Sequence, residues 1–181
     1  MKVSAEIIQQ IHLQLRDLQN VRAMFPAITS GMIGQSEFAT APFYQQRGFP
    51  ITFRFSKPLT AERVEEISKI GRWLNQSFVI RLCALLESYQ VIPTEKQGRI
   101  NQEIDGHEEV DIIRRLRNVL AHTSGRYNSA NPDERKLYER IVDRFSVEAE
   151  SADSANEFPL PIDAVLIPLA KGCKRYIQGL A

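Results

Sequence analysis

The sequence predicts an all-α protein, a helical bundle of about five helices with an irregular insertion at roughly residues 25–58. Apolar residues recur at spacings of three and four along most of the chain, as in amphipathic helices. Only one short segment, 51–55 (ITFRF), alternates as a strand does. Proline, glycine and asparagine separate the periodic segments. A length of 181 residues fits a single domain spanning 1–181.

The first predicted helix runs to about Met24, and Pro26 follows its end because proline cannot continue a helix. Its apolar positions have helical spacing: Val3, Ile7, Ile8, Ile11, Leu15 and Leu18. Helical periodicity is then absent from Phe25 to Pro58. A connection of this length is typical of a functional lid or a mobile segment.

Two further helical segments follow the insertion. Thr60 is a suitable N-cap for the first, in which Gly71 marks either a break or a point of close packing. The second, 78–89 (FVIRLCALLESY), is apolar nearly all round and is expected to be the most buried helix. Pro93 follows it.

The next helix, which we call the motif helix, is predicted to open at Asp105 and to end at the sequence HTSGR, 122–126. Acidic residues in its early turns interact favourably with the positive, N-terminal end of the helix dipole. A following helix is capped by Asn131 and Pro132 and runs to about Val147. The acidic stretch 148–157 then predicts a solvated linker.

A last helix begins after Pro161, and Pro168 must kink or restart it. The two cysteines, Cys83 and Cys173, have no metal-site spacing and predict buried thiols. Neither a metal nor a cofactor is expected. The opening residues lack the apolar run of a secretory leader, and no segment reaches about 18 apolar residues. The prediction is a cytoplasmic protein with no membrane association.

On a helical wheel, the motif helix has one apolar side and one cationic side. The polar side carries Arg114, Arg115, Arg117, Asn118 and His122 around the small Ala121. Because Lys and Arg exceed Asp and Glu by only 23 to 22, this local cluster would have to supply any attraction for a polyanion.

Arg117 and His122 lie about 140° apart around the helix axis, so they flank the polar face without stacking. Asn118 and His122 share a strip, which allows the amide to orient the imidazole. The arginine and histidine can act on one ligand if the helix end loosens, if the arginine reaches round, or if a second copy faces the first. We favour the second copy, since Ala121 allows close approach of two helices.

These segments resemble the HEPN superfamily (higher eukaryotes and prokaryotes nucleotide-binding), of the ribonuclease type with arginine and histidine five positions apart. The residues carrying the resemblance are RNVLAH, 117–122, and the preceding LLESY, 85–89. Together with the neighbouring helices, these two segments extend the resemblance over roughly residues 60–181. The resemblance implies an all-α domain, a homodimer through the motif helix, and cleavage of single-stranded RNA without a metal.

Carried over by position, the resemblance makes Arg117 and His122 the catalytic pair, with Asn118 as the accompanying polar residue. It also implies a toxin or antiviral effector with an antitoxin or nucleotidyltransferase partner. Arg114 and Arg126 are candidate phosphate contacts, and Tyr127 is a candidate for stacking a base.

Simpler alternatives remain open at each position. His122 can satisfy carbonyls at the helix end, Arg114 and Arg115 can form a solvated face, and Arg126 and Tyr127 can belong to an ordinary loop. Glu87 can pair with Arg117 in a structural role. The rival function is a non-catalytic HEPN-like helical module that binds a nucleotide or a protein partner, which the near-zero net charge favours.

Overall fold

The computed structural model describes residues 2–24, 28–39, 52–93, 99–123, 125–147 and 157–181. Five α-helices lie within these ranges, which confirms the predicted all-α class. They are α1 (Lys2–Met24), α2 (Ala61–Ser88), α3 (His107–Thr123), α4 (Pro132–Phe145) and α5 (Ile167–Gly179). No helix among the described residues is long and apolar enough to cross a bilayer.

By its internal contacts the chain divides into two compact units. The larger unit comprises Met1–Leu15 and Asn75–Ala181, and the smaller one comprises Arg16–Leu74. Both α1 and α2 contribute residues to each unit. The prediction of a single domain stays a prediction.

The core of the larger unit forms where the apolar stripe of α3 packs against α5 and α4. Fully buried side chains from α2, α3 and α5 fill it, among them Leu82, Leu86, Ile112, Ile113, Leu116, Leu169 and Ile177. The segment 78–89 is less buried than its composition predicts, because Ile80, Arg81 and Ala84 are exposed. Because segment 78–89 is apolar on nearly all sides, its composition could not identify which side faces solvent.

Helix α2 runs without interruption through the two segments that the sequence separated. Its N-terminus is capped as predicted, since the Thr60 hydroxyl accepts a hydrogen bond from the Arg63 N–H at 3.2 Å. Gly71 does not break the helix. A Cβ atom there would lie 2.0 Å from Nη1 of Arg22, so the close-packing alternative is the correct one.

Helix α3 begins at His107, two residues later than predicted, because Gly106 adopts a left-handed conformation with φ 88°. A Cβ atom on Gly106 would lie 2.1 Å from the carbonyl oxygen of Gly172 in α5. The glycine therefore permits close contact between the start of α3 and α5. Asp105, expected to open the helix, instead pairs with Arg175 at 2.8 Å.

The boundaries of the last two helices follow the predicted signals. The Asn131 side chain accepts hydrogen bonds from the N–H groups of Asp133 and Glu134, and Pro132 occupies the first turn of α4. A π-helical turn, Ile162–Leu166, precedes α5, and Pro168 lies in the first turn of α5. The last helical segment thus begins directly after Pro161, as predicted. Leu166 and Ile167 both stay right-handed helical, so Pro168 lies close to the change from π-helical to α-helical structure, and the predicted kink or restart at Pro168 stays a prediction.

The smaller unit contains a two-stranded antiparallel ribbon within the predicted insertion. Strand β1 (Glu37–Ala39) pairs with β2 (Thr52–Arg54), with Phe38 opposite Phe53. Strand β2 confirms the alternating segment, whereas β1 was missed because it contains only one large apolar residue, Phe38, and so shows no alternation. A small apolar cluster supports the ribbon: Ile28, Phe38, Leu59, Val64 and Ile67. Residues 25–27, 40–51 and most of the predicted linker, 148–156, lie outside the described ranges.

Candidate functional site at the end of helix α3

The C-terminal half of α3 presents the predicted polar face. Ile112, Ile113 and Leu116 are fully buried and Leu120 nearly so, which fixes the rotation of the helix. On the opposite side Arg115, Asn118, Ala121 and His122 are exposed, while Arg114 and Arg117 are half-buried. The apolar periodicity therefore predicted correctly which side chains reach the surface.

The guanidinium of Arg117 is held from two sides. Its Nη1 donates to Oδ1 of Asn118 at 3.0 Å, and its Nη2 donates to Oε2 of Glu87 on α2 at 3.5 Å. The arginine side chain remains 40% exposed. The pairing with Glu87, anticipated from the sequence, is confirmed. Since guanidinium has five N–H donors, these two contacts leave donors for a phosphate.

Glu87 is itself anchored by Cys83, one helical turn earlier on α2. The Cys83 thiol donates to Oε1 of Glu87 with a separation of 3.7 Å. Burial, assisted by the negative charge of Glu87, raises the pKa of Cys83 to about 12. The thiol therefore stays protonated at neutral pH and acts as a donor, not as a nucleophile. Sequence reasoning treated Cys83 only as a buried thiol, although its i,i+4 spacing to Glu87 signals this contact.

His122 lies in the last turn of α3 and is exposed. Within the described part of the chain its ring makes no hydrogen bond or ion pair, so the alternative in which it satisfies helix-end carbonyls receives no support. The Asn118 oxygen accepts from Arg117 and is not used to orient the imidazole. The ring is therefore accessible but is not aligned by a neighbour.

Close packing against α2 explains why a glycine, Gly125, follows the motif. Gly125 adopts φ 82°, and a Cβ atom there would lie 2.2 Å from Nε2 of Gln76 on α2. The hydroxyl of Thr123 lies within hydrogen-bond distance of the carbonyl oxygens of Val119 and Arg126, at 2.9 and 2.8 Å. The turn that ends α3 is thus fixed against α2, which sets the position of the segment carrying His122.

Asp111 neutralises much of the neighbouring cationic face. Its carboxylate accepts hydrogen bonds from Arg114 and Arg115 at 2.9 Å, and from Arg140 of α4 at 2.6 Å. Burial alone would raise the pKa of Asp111, but the three guanidinium groups, Arg140 foremost, lower it overall. Arg114, a predicted phosphate contact, is therefore already engaged in an ion pair within α3.

The two candidates beyond the glycine have different surroundings. Arg126 is exposed, and its backbone forms an isolated antiparallel bridge with Glu157. Tyr127 is only 6% exposed. Its ring stacks on Tyr138 with centroids 4.6 Å apart and meets the edge of Phe158 at 5.5 Å. This aromatic cluster favours the structural alternative for Tyr127 over base stacking, since its ring is enclosed by the chain's own residues.

The structure thus gathers Arg117, Asn118 and His122 at one end of α3, joined to Glu87 of α2, and leaves Tyr127 in the core. No three His, Cys, Asp or Glu side chains among the described residues converge as a metal site requires. Comparison with protein-family models, curated protein sequences and solved structures finds no match to this chain.

Proposed function

We propose that this protein is a metal-independent endoribonuclease that cleaves single-stranded RNA by attack of a ribose 2′-hydroxyl on the adjacent phosphorus. The observation that supports it best is that the same end of α3 carries a restrained, partly exposed guanidinium at Arg117 and an accessible imidazole at His122 that forms no hydrogen bond among the described residues. The HEPN resemblance assigns catalysis to these two residues.

The side chains suit the steps of this reaction. The attacking 2′-oxygen must lose a proton, the 5′-oxygen must gain one as its bond to phosphorus breaks, and the crowded phosphate carries extra negative charge. Imidazole, with an ordinary pKa of about 6.5, exchanges protons near neutral pH. The planar guanidinium of Arg117 binds phosphate oxygens through two parallel hydrogen bonds. Glu87 and Asn118 hold that guanidinium in place.

A second copy of the chain would complete the site. A single imidazole must otherwise serve as base and acid in turn, whereas two copies of His122 across a two-fold axis divide the proton transfers. Ala121 lies exposed between Arg117 and His122 in sequence, and its small side chain allows two α3 helices to approach. We therefore propose a homodimer through α3, with RNA bound at the shared surface.

The resemblance extends the proposal to biology. The protein would act in the cytoplasm as the toxin or antiviral effector of a defence or toxin–antitoxin pair. An antitoxin or a nucleotidyltransferase would be its partner. RNA is the substrate, and no cofactor takes part in the chemistry.

A cleavage assay tests the proposal. Purified protein is incubated with single-stranded RNA in excess chelator, comparing wild type with His122→Ala and Arg117→Ala. Loss of an acid–base histidine costs about 10²–10⁴ in rate, so His122→Ala is expected to lose cleavage almost completely. Arg117→Ala is expected to lose comparable activity, and Arg117→Lys to recover part of it, because ammonium keeps the charge but not the fork.

Matched controls exclude contamination and misfolding. His12→Ala removes an exposed histidine of α1, and Arg135→Ala removes an exposed arginine of α4; both are expected to cleave like wild type. Thermal unfolding of every variant verifies that it is folded. Chelator-resistant cleavage that survives in both His122→Ala and Arg117→Ala would show that the activity does not belong to this site.

The second candidate is a non-catalytic helical module that binds a nucleotide or a protein partner through the same surface. The ion pairs of Asp111 and Glu87 favour it, since they reduce the positive charge that a long RNA would meet. A folded wild-type protein that cleaves no RNA yet binds a nucleotide, with binding lost in Arg117→Ala, would establish this function instead.

A further inference from the structure

A cationic recess lies at the opposite end of α3 from the proposed catalytic residues. It has a volume of about 390 Å³ and is bordered by Glu109, Arg144, Lys171 and Arg175, with Phe145 and Pro168 in its wall. Glu109 and His122 are thirteen residues apart on α3, or about 20 Å along the helix. We propose that this recess binds a small phosphorylated compound that carries hydroxyl groups.

The bordering residues have a positive excess. Arg144, Lys171 and Arg175 contribute three positive charges and Glu109 one negative charge, although Asp105 and Glu108 also pair with the two arginines from beyond the border. The positive charge that a ligand would meet is therefore mainly that of Lys171, together with the unused guanidinium N–H groups. Lys171 is exposed and forms no ion pair within the described ranges. Burial and the charge of Lys171 together lower the pKa of the neighbouring Lys174, as expected where positive charges crowd together.

The two arginines are oriented in advance and still have donors to offer. Arg144 uses Nη1 for Glu108 at 3.1 Å and Nη2 for Glu109 at 2.8 Å. Arg175 uses Nε for Asp105 at 2.8 Å and Nη2 for Glu109 at 3.3 Å. Each guanidinium has five N–H donors and a side chain about two-fifths exposed. A bound anion would therefore meet fixed guanidinium groups without separating them from their carboxylates.

Glu109 supplies an unused acceptor beside this positive charge. The residue is 3% exposed, and its Oε1 receives both arginines, but its Oε2 is buried without a hydrogen-bond partner among the described residues. Gly172 makes room for it, since a Cβ atom there would lie 2.4 Å from Cγ of Glu109. Buried carboxylate oxygens normally have donors. A ligand hydroxyl, directly or through a trapped water, would supply one.

These features select the class of ligand. A phosphate monoester has three strong acceptor oxygens, which Lys171 and the unused donors of Arg144 and Arg175 could engage together, whereas a carboxylate has only two oxygens. The volume lies in the range of small-molecule sites, about 300–1,000 Å³. A hydroxyl group next to the phosphate, as in a sugar phosphate, would donate a hydrogen bond to Oε2 of Glu109, directly or through a water.

Calorimetric titration of the full chain at physiological ionic strength, where the Debye length is about 8 Å, provides the test, with ribose 5-phosphate, inorganic phosphate and ribose as probes. Ribose 5-phosphate is expected to bind more tightly than inorganic phosphate, and ribose is expected not to bind. Lys171→Glu replaces the unpaired positive charge of the recess with a negative charge at an exposed position. It is expected to weaken ribose 5-phosphate binding about tenfold or more, since repulsion replaces attraction.

Lys136→Glu is the matched control. It makes the same charge change on an exposed residue of α4, eight positions from Arg144, or about 12 Å along the helix; binding is expected to be unchanged. Failure of the folded wild type to bind ribose 5-phosphate, or equal binding by Lys171→Glu, would refute the recess as a phosphate site. Inorganic phosphate binding as tightly as ribose 5-phosphate would refute the hydroxyl contribution. None of these results depends on ribonuclease activity.

Discussion

At the scale of single residues, Asp111 of α3 and Glu87 of α2 both pair with arginines of the polar face of α3, but with distinct consequences. Asp111 accepts three guanidinium groups and joins α3 to α4 through Arg140. Glu87 accepts one, and at 3.5 Å the contact is long. We infer that Asp111 contributes mainly to stability, and that Glu87 restrains Arg117 while leaving it able to move towards a phosphate.

The stabilising role of Asp111 predicts a pH-dependent effect of Asp111→Asn. Because its folded-state pKa is lowered, the stabilisation is present above the unfolded pKa, about 3.9. It is lost as pH falls through the folded pKa. The substitution is expected to cost about 1–3 kcal/mol at neutral pH and much less in acid. Urea unfolding at neutral and acidic pH measures both values.

Asp143→Asn is the control. Because Asp143 is an exposed residue of α4, this substitution is expected to change the free energy of unfolding very little. A loss in Asp111→Asn that is equally large at neutral and acidic pH would indicate a packing effect and contradict the electrostatic explanation.

At the scale of elements, the contact between α3 and α5 depends on glycines. A Cβ atom on Gly106, just before α3, would overlap the carbonyl oxygen of Gly172 in α5. A Cβ atom on Gly172 would overlap the side chain of Glu109 in α3. The two helices can therefore approach closely enough to bury Glu109 among Arg144 and Arg175. A larger residue at either position would separate them.

Gly172→Ala tests this packing. Alanine normally stabilises a helix interior by up to about 1 kcal/mol relative to glycine. Here the added methyl group would lie 2.4 Å from Cγ and 2.5 Å from Cβ and Cδ of Glu109, so we expect a net loss of about 1–3 kcal/mol. Chemical denaturation gives the difference in the free energy of unfolding.

Gly31→Ala is the comparison, since its nearest contact outside neighbouring residues is Oγ1 of Thr29 at an ordinary 3.7 Å. It is expected to be close to neutral. If Gly172→Ala proves as stable as wild type, Glu109 must be able to move, and the close contact would not be essential.

At the scale of the whole molecule, a net charge of +1 gives little general attraction for RNA. Ion pairs further reduce the positive field at α3. Affinity for RNA would therefore have to come from a surface that combines two copies of the Arg117 and His122 region, which makes the oligomeric state central to the proposed function.

Ala121→Arg tests the proposed dimer. A long charged side chain in the middle of the exposed face of α3 would prevent close approach of two helices, so sedimentation is expected to shift from dimer to monomer. RNA cleavage should fall in parallel. Ala130→Arg, at an exposed turn before α4, is expected to retain both properties. A monomeric wild type, or a dimer that persists in Ala121→Arg, would contradict an interface at this face.

The helices and their boundaries could largely be predicted because their causes are local. Thr60 and Asn131 cap the helices that they precede, and the last helical segment begins directly after Pro161. The apolar period of α3 identified its buried side, and with it the exposure of Asn118 and His122. The position of Glu87 at the end of the neighbouring apolar helix also suggested it as a structural partner for Arg117.

Other features depended on residues far apart in sequence. The spacing of apolar residues in the sequence could not reveal that Tyr127 packs on Tyr138 and Phe158. Nor could it reveal that Trp73 of α2 is 64% exposed. Strand β1 was missed because its three residues form a strand only by pairing with β2. For Tyr127 and for β1 the partner, not the segment itself, determines the burial or the conformation.

The sequence alone determined the helical class and which end of α3 combines arginine, amide and imidazole, since periodicity and capping act within a few residues. Only the tertiary structure decided that Asp111 pairs with three arginines and that Glu109 is buried beside a cationic recess. The physical reason is that charge pairing and burial depend on distances between separate helices, which packing establishes and local sequence does not encode.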